Sequence, residues 1–221
     1  MAFRPSLLFL SLASALIYVS LSLVILHYFH EDGLPALFEH GFDWPTQLAA
    51  GAAFGVLAAG FISLVIWRTP VTRILKDYAI VELVMQMRFS PFDRIQISFF
   101  AGAGEELLFR GAMQPVLGIW LTSLIFVGMH GYFKFKSLWH IGFGAAMFAL
   151  SVGLGLVYEW AGLIAAMTAH AIYDVIMLQL THAFPVPPDQ ENPPGFADDD
   201  PSPTDRPAQG PAPGPHQTDD R

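Results

Sequence analysis

The sequence of 221 residues contains no cysteine and few charged side chains. The absence of cysteine excludes disulfides, thiolate metal sites and a cysteine nucleophile, so any catalysis must use other side chains. We find no glycine-rich phosphate loop after a strand, no basic surface interleaved with aromatic residues and no internal repeat. These absences argue against a nucleotide-binding or nucleic-acid-binding protein. Charged residues make up only 14% of the chain, whereas 53% of the residues are hydrophobic.

Long apolar runs predict an all-α protein, a polytopic transmembrane helix bundle of about six spans. The first run is too long for the core of a signal peptide and lacks a clear cleavage site, so we interpret it as a retained helix. The fourth is short for a perpendicular span, which favours a short or tilted helix. The predicted spans are residues 6–29, 46–67, 94–117, 118–133, 137–157 and 162–180.

The basic residues that flank these runs predict the orientation of the bundle. In a six-span arrangement they all fall on one side, and by the positive-inside rule that side is the cytoplasm. We therefore expect an integral protein of the cell membrane with both termini cytoplasmic. The segment 71–87 mixes charged and apolar residues, which suits a helix at the membrane interface. The basic residues in question are Arg4, Arg68, Arg73, Lys76, Arg88, Arg94, Lys134 and Lys136.

The composition changes sharply after residue 182. Residues 183–221 hold eleven of the seventeen prolines, and six of the eight net negative charges also fall there. Such a segment buries too little apolar area to offset its loss of conformational entropy, so we expect it to be disordered. The predicted organisation is therefore residues 1–92, N-terminal spans with the interfacial segment; 93–182, a catalytic membrane core; and 183–221, a tail.

Four ionisable residues, Glu105, Glu106, Arg110 and Asp174, lie inside the apolar runs. At about 2.5 to 3.5 kcal/mol each, leaving them in contact with lipid would cost roughly 10 kcal/mol, so they must face the bundle interior. Glu106 and Arg110 are four residues apart and can pair on one helical face. Glu105 is rotated by about 100° from Glu106, which leaves it free for chemistry.

Two histidines also lie inside apolar runs, where a polar side chain is unexpected. His130 lies in "IFVGMHGYF", and His170 lies one turn before Asp174 in "MTAHAIYDVIML". With Glu105 they place carboxylates and imidazoles on three separate apolar helices. If these side chains meet, they form either a water-activating site or a metal site, for which zinc is the most suitable ion. Taken singly, each histidine also fits a hydrogen-bonding role in the core, and this is our interpretation of His140.

Three ordered stretches resemble the signature motifs of one family. They are "EELLFR" at 105–110, "FVGMH" at 126–130 and "HAIYD" at 170–174. They are similar to the E-E-x-x-x-R, F-x-x-x-H and H-x-x-x-N/D motifs of the CPBP family, also called the Abi family. This family includes type II CAAX prenyl endopeptidases and bacteriocin-processing and self-immunity proteins. The resemblance covers about residues 94–180 and implies a membrane-embedded endopeptidase.

Carried over by position, the resemblance gives each motif residue a role. It implies that Glu105 is the general base that activates water, that His130 is its partner, and that Glu106 with Arg110 braces the helix. His170 and Asp174 either complete a metal site or stabilise the oxyanion.

The last motif position departs from the prenyl-protein enzymes, which have Asn there. An ionised Asp174 cannot donate to an oxyanion. Either its apolar surroundings keep Asp174 protonated, or it orients His170, or it binds metal; we favour the last two. The metal set implied by the resemblance is Glu105, His130, His170 and Asp174; a metal-free glutamate mechanism also accords with the motifs.

Two other classes of function stay open at this point. A proton- or ion-coupled transporter would use buried carboxylates and histidines as a relay, although the paired halves typical of carriers are missing. A non-catalytic immunity or scaffold protein would keep the same residues for packing. For the endopeptidase we expect the lipid bilayer and a membrane protein or peptide substrate as partners, and no nucleic acid. The sequence leaves the oligomeric state open.

Overall fold

The computed structural model describes residues 7–87 and 89–183, which form helices without any strand. The prediction of an all-α protein is confirmed. Nearly all of the predicted disordered tail, from residue 184 onward, lies outside the described residues. The helices are α1 (Leu7–Phe29), α2 (Leu34–Glu39), α3 (Trp44–Arg68), α4 (Ala79–Gln86), α5 (Pro91–Glu106), α6 (Gln114–Met129), α7 (Leu138–Ala161) and α8 (Leu163–Leu180).

Five helical stretches in the described part of the chain are long and apolar enough to cross a membrane. Six spans were predicted, and the difference arises because the third and fourth predicted spans fall within one continuous stretch. In that stretch, α5 and α6 are joined by a π-helix, Leu107–Met113, without an intervening loop. The five stretches are Leu7–Phe29, Trp44–Arg68, Pro91–Met129, Leu138–Ala161 and Leu163–Leu180.

The stretch Pro91–Met129 folds back on itself at Gly118. A straight helix of 39 residues would measure about 58 Å, nearly twice the hydrocarbon thickness of about 30 Å. Gly118 has φ 76° and ψ 162°, a conformation that glycine adopts without steric cost. The ring centroids of Phe109 and Phe126 are 4.9 Å apart, whereas a straight helix would separate these residues by about 25 Å. The two limbs therefore lie side by side, and we call them the α5–α6 hairpin.

Small residues bring α8 close to α3 and to α5. A Cβ atom added at Gly51 of α3 would lie 2.3 Å from the carbonyl oxygen of Ala165, and one added at Gly102 of α5 would lie 2.8 Å from that of Met167. Neither position accepts a larger side chain without moving backbone. Because small residues let transmembrane helices approach closely, α8 packs against both neighbours. This packing places the polar residues of α8 beside those of α5.

The connection between α3 and α5 packs inward. It forms two 3₁₀ turns, Pro70–Arg73 and Leu75–Asp77, and then α4. Val71, Leu75 and Tyr78 are at most 2% exposed, so the part of this segment before α4 belongs to the core, whereas α4 has no buried residue. The expectation of one helix over 71–87 is corrected, because only Ala79–Gln86 is α-helical; the extended backbone of Tyr78 separates it from the turns.

His140 joins this connection to the start of α7. Its Nε2 lies 2.8 Å from Oδ2 of Asp77, and its Nδ1 lies 2.8 Å from the hydroxyl of Ser137. With Nε2 protonated, His140 donates to Asp77 and accepts from Ser137. The hydrogen bond from His140 holds the pKa of Asp77 below its ordinary value. His140 is therefore a structural histidine that ties two segments together.

Candidate active site

Two adjacent glutamates end α5 just before the π-helix. Glu105 is 8% exposed and Glu106 is fully buried. Successive helical residues differ by about 100° in direction, so the two carboxyl groups meet different partners. The π-helix that follows is an uncommon element that is found often at functional sites, and no feature of the sequence predicted it.

Glu106 lies at the centre of a buried polar network. Its Oε2 is 3.2 Å from Nε of Arg110, and its Oε1 is 2.7 Å from Nδ1 of His170. Arg110 also donates from Nη2 to the carbonyl oxygen and the hydroxyl of Ser151, at 3.0 and 3.1 Å. Buried charges are tolerated only with such partners. Glu106 therefore pairs with Arg110 and also orients His170, a second contact that the sequence did not indicate.

His130 ends α6 in a Schellman turn. The N–H of Gly131 donates to the carbonyl oxygen of Gly128 at 3.0 Å, and the N–H of Tyr132 donates to that of Val127 at 3.2 Å. Gly131 has φ 71°, the left-handed conformation that this turn requires. The Gly that follows His130 in the sequence is the signal for this turn. The turn fixes the backbone of His130 at the end of the hairpin.

The ring of His130 faces Glu105. Its Nδ1 lies 2.8 Å from the carbonyl oxygen of Phe126, an acceptor, so Nδ1 carries a proton and donates. Its Nε2 is 3.5 Å from Oε2 of Glu105, which is beyond an ordinary hydrogen bond. Within the described residues this buried Oε2 has no hydrogen-bond partner. The atom that would accept a proton from water is therefore not occupied by another protein donor.

His170 lies between two carboxyl groups. Its Nδ1 contacts Glu106, and its Nε2 is 3.5 Å from Oδ2 of Asp174, one turn further along α8. A ring fixed at Nδ1 by a carboxylate has a defined orientation, and two nearby carboxylates stabilise its cationic form. His170 can therefore present a proton on Nε2.

One cavity of about 300 Å³ is lined by Glu105, His130, His170 and Asp174 together. The structure thus brings the four predicted site residues to a common space, while Glu106 and Arg110 support them from behind. Their catalytic roles stay predictions. The remaining wall is mostly apolar and comes from α3, the 70–86 connection, α7 and α8; it includes Ile66, Val81, Val84, Met147, Leu154 and Met177.

The donor groups fit a metal ion poorly in this arrangement. Among the residues that the structure describes, no three histidine, aspartate or glutamate side chains are placed to hold one ion together. They form pairs instead, Glu105 with His130 and His170 with Asp174. The zinc site stays a prediction, and we derive the chemistry from the side chains of the chain itself.

Several contributors to the site carried no sequence signal. Ser151 is one serine in an apolar helix, yet it accepts from Arg110. The guanidinium of Arg110 also lies 4.9 Å from the ring centroid of Phe126. Phe126 begins the F-x-x-x-H motif, and its type suggests only a residue of the apolar core. The ring of Tyr18 on α1 lies beside Gly104, the residue that precedes Glu105. The contacts of Ser151 and Tyr18 join helices that are distant in sequence, and that of Phe126 joins the two limbs of the α5–α6 hairpin; helical periodicity reveals neither kind of contact.

Comparison with known proteins confirms the resemblance found in the sequence. Residues 88–176, about two fifths of the chain, match the family model of type II CAAX prenyl endopeptidase Rce1-like proteins. The uncharacterized protein YpbD of Bacillus subtilis (strain 168) is a relative that is 41% identical to this chain over 83 residues. That match covers 37% of this chain and 42% of the relative. No solved structure matches the chain.

Proposed function

We propose that this integral membrane protein is an intramembrane endopeptidase, since residues 88–176 match the family model of type II CAAX prenyl endopeptidase Rce1-like proteins. The observation that carries the proposal is the buried Oε2 of Glu105. Glu105 lines a cavity shared with two histidines, and its Oε2 has no hydrogen-bond partner among the described residues. A carboxylate in this position can accept a proton from a water molecule bound in the cavity.

In the proposed reaction, Glu105 takes a proton from water while the water oxygen attacks the carbonyl carbon of the peptide bond. The protonated Glu105 then delivers this proton to the leaving nitrogen as the carbon–nitrogen bond breaks, which yields a carboxylic acid and an amine. His130 supports the base. With both ring nitrogens protonated, Nδ1 donates to Phe126 and Nε2 faces Glu105, so a positive charge offsets the carboxylate in an apolar setting.

His170 is the proposed stabiliser of the oxyanion. Its Nδ1 proton is directed to Glu106, and its Nε2 proton is the donor available to the negative oxygen of the tetrahedral intermediate. Donors fixed before the reaction stabilise such an oxygen without reorganisation, and losing one typically costs about 10²- to 10³-fold in kcat. Arg110 acts indirectly, because it holds the Glu106 carboxylate that orients His170.

The substrate we propose is a membrane-associated or lipid-modified protein or peptide. The support is the apolar wall of the cavity, which suits an apolar chain better than a charged one. We also propose residence in the cell membrane with both termini cytoplasmic, supported by the basic residues that flank the spans on one side.

Comparative mass spectrometry of membrane peptides tests the function directly. Cells that contain the native protein and cells that contain the Glu105→Gln variant at equal abundance would be compared for cleaved termini. We expect a defined set of new termini only with the native protein. Identical peptide sets in both cell types, with both proteins inserted in the membrane, would contradict the endopeptidase assignment.

Asp174 provides a second test. Replacing it with Asn should keep kcat within about tenfold of the native value, because the amide oxygen still faces His170 and the amide nitrogen can donate to an oxyanion. Replacing it with Leu should lower kcat by about 100-fold, because both possibilities are lost. Steady-state kinetics of the two variants would measure this. An Asn variant as inactive as the Leu variant would show that a carboxylate is required, as for a metal ligand or a proton carrier.

A further inference from the structure

The imidazole ring of His130 packs beside two aromatic rings. The ring centroid of Phe126, one turn earlier on α6, lies 4.4 Å from that of His130. The ring of Tyr132 lies parallel to that of His130 within 7°, with the centroids 6.2 Å apart, inside the range of about 4.5 to 7 Å for favourable aromatic pairs. Phe126 belongs to the second family motif, whereas Tyr132 belongs to none of the three. Tyr132 also lines the cavity of the candidate active site.

Tyr132 is held both by its backbone and by neighbouring rings. Its N–H donates to the carbonyl oxygen of Val127 at 3.2 Å, in the turn that ends α6. Its ring centroid lies 5.8 Å from that of Tyr78 and 5.9 Å from that of Phe143. With the backbone fixed by the turn and the ring packed on two others, Tyr132 has little freedom to move away from His130.

Tyr78 connects these rings to the 70–86 connection and to α7. It is 1% exposed, and its hydroxyl donates to the carbonyl oxygen of His140 at 3.4 Å. Its ring centroid lies 5.9 Å from that of the His140 imidazole. The rings of Tyr78, Tyr132 and His130 therefore form a continuous row from the connection to the candidate active site, which we call the aromatic row.

We infer that Tyr132 and Tyr78 are positioning residues for His130. The Nε2 atom faces Glu105 only while the imidazole keeps its plane, because rotation of the ring about its bond to Cβ carries Nε2 away. The hydrogen bond at Nδ1 fixes one point of the ring, and the parallel ring of Tyr132 opposes its rotation. The inference rests on the proposed function, in which His130 supports the base. It extends the site beyond the family-matched segment 88–176, because Tyr78 precedes that segment.

A pair of variants at position 132 separates the ring from its hydroxyl. Tyr132 is half-buried, so Tyr132→Leu and Tyr132→Phe should both insert and fold at native levels. We expect Tyr132→Leu to lower kcat about 10- to 100-fold, the size of effect that follows from a small misplacement of a catalytic group. Tyr132→Phe keeps the ring, so its kcat should stay within about threefold of the native value.

Tyr78→Met tests the far end of the aromatic row. Methionine fills much of the space of tyrosine without a ring, which limits the loss of packing. We expect kcat to fall about tenfold, because Tyr132 is then held less firmly. The KM should stay within about threefold, because Tyr78 is not among the residues that line the cavity. Phe42→Leu is the control, since it removes a ring 5.1 Å from that of Trp160 and also away from the cavity lining.

Imidazole ¹⁵N NMR separates this inference from the proposed function, because it needs no substrate. The signal that is missing from the His130→Gln variant belongs to His130. That signal should broaden or split in Tyr132→Leu and in Tyr78→Met, as the ring takes up more than one orientation. It should stay unchanged in Tyr132→Phe and in Phe42→Leu.

An unchanged His130 signal or a native kcat in Tyr132→Leu would overturn the inference. A Tyr132→Phe variant as impaired as Tyr132→Leu would also overturn it, because the hydroxyl and not the ring would then be required. An unchanged signal in Tyr78→Met would overturn the role of Tyr78. A native protein that cleaves nothing, while its His130 signal responds as expected, would instead contradict the endopeptidase proposal and leave the aromatic row intact.

Discussion

Replacing Glu105 with Gln is expected to lower kcat by about 10³- to 10⁴-fold, near the upper range for loss of a general base. Glutamine has nearly the same shape, but its amide does not take a proton from water. Removing a buried charge also relieves a desolvation cost, so the variant should insert and fold at native levels. Cleavage of a substrate peptide in proteoliposomes, together with thermal unfolding in detergent, measures both effects.

Glu159→Gln is the control for this prediction. Glu159 lies near the end of α7, where its carboxylate accepts a hydrogen bond from the amide of Gln114 at 3.0 Å. A glutamine there can accept the same bond, and the residue is not among those that line the cavity. We expect native kinetics for this variant. If Glu105→Gln retained kcat within tenfold of the native value, Glu105 would not be the base.

Replacing Arg110 with Met is expected to destabilise the protein strongly, by about 3 to 5 kcal/mol, the usual cost of breaking a buried ion pair. Arg110 is fully buried and contacts Glu106 and Ser151. Without the guanidinium, the fully buried Glu106 carboxyl group loses its ion-pair partner and keeps only the contact with His170. The yield of monodisperse protein and the thermal unfolding temperature in detergent should both fall.

The double variant Glu106→Gln with Arg110→Met distinguishes stability from activity. Removing both charges should recover much of the lost stability, because no uncompensated charge is left behind. Activity should remain low, because His170 loses the carboxylate that contacts its Nδ1. Arg110→Lys keeps the charge but not the planar set of donors, so we expect intermediate stability. Native stability in Arg110→Met would show that the pair does not support the fold.

The sequence predicted the parts of this structure that depend on helical periodicity. Glu106 and Arg110 are separated by four residues, and Oε2 of Glu106 lies 3.2 Å from Nε of Arg110. His170 and Asp174 are one turn apart, and Nε2 of His170 lies 3.5 Å from Oδ2 of Asp174. The cost of charge in lipid also predicted that these groups face inward, and all of them are buried or half-buried. Position along one helix was therefore sufficient for these pairs.

The periodicity of the sequence does not predict contacts between different helices. The second contact of Glu106, to His170, depends on how closely α8 approaches α5 at Gly102. Hydropathy measures only the length of an apolar run, so it did not show that α5 and α6 are joined through a π-helix. The inward packing of the 70–86 connection was hidden by its mixed composition, because Tyr78 and its neighbours are buried by tertiary contacts.

Glu105 and His130 lie at nearly equal distances along the chain from Gly118, the bend of the α5–α6 hairpin. Glu105 lies thirteen residues before the turn and His130 twelve residues after it, so both are about 18 to 20 Å from the bend at 1.5 Å per residue. These matched spacings from the bend, more than the identity of the residues between them, set the depth at which the carboxylate and the imidazole meet. Inserting or deleting one residue in either limb would turn one partner by about 100° and shift it along its axis. Divergent relatives should consequently tolerate many substitutions between these positions but few changes in spacing.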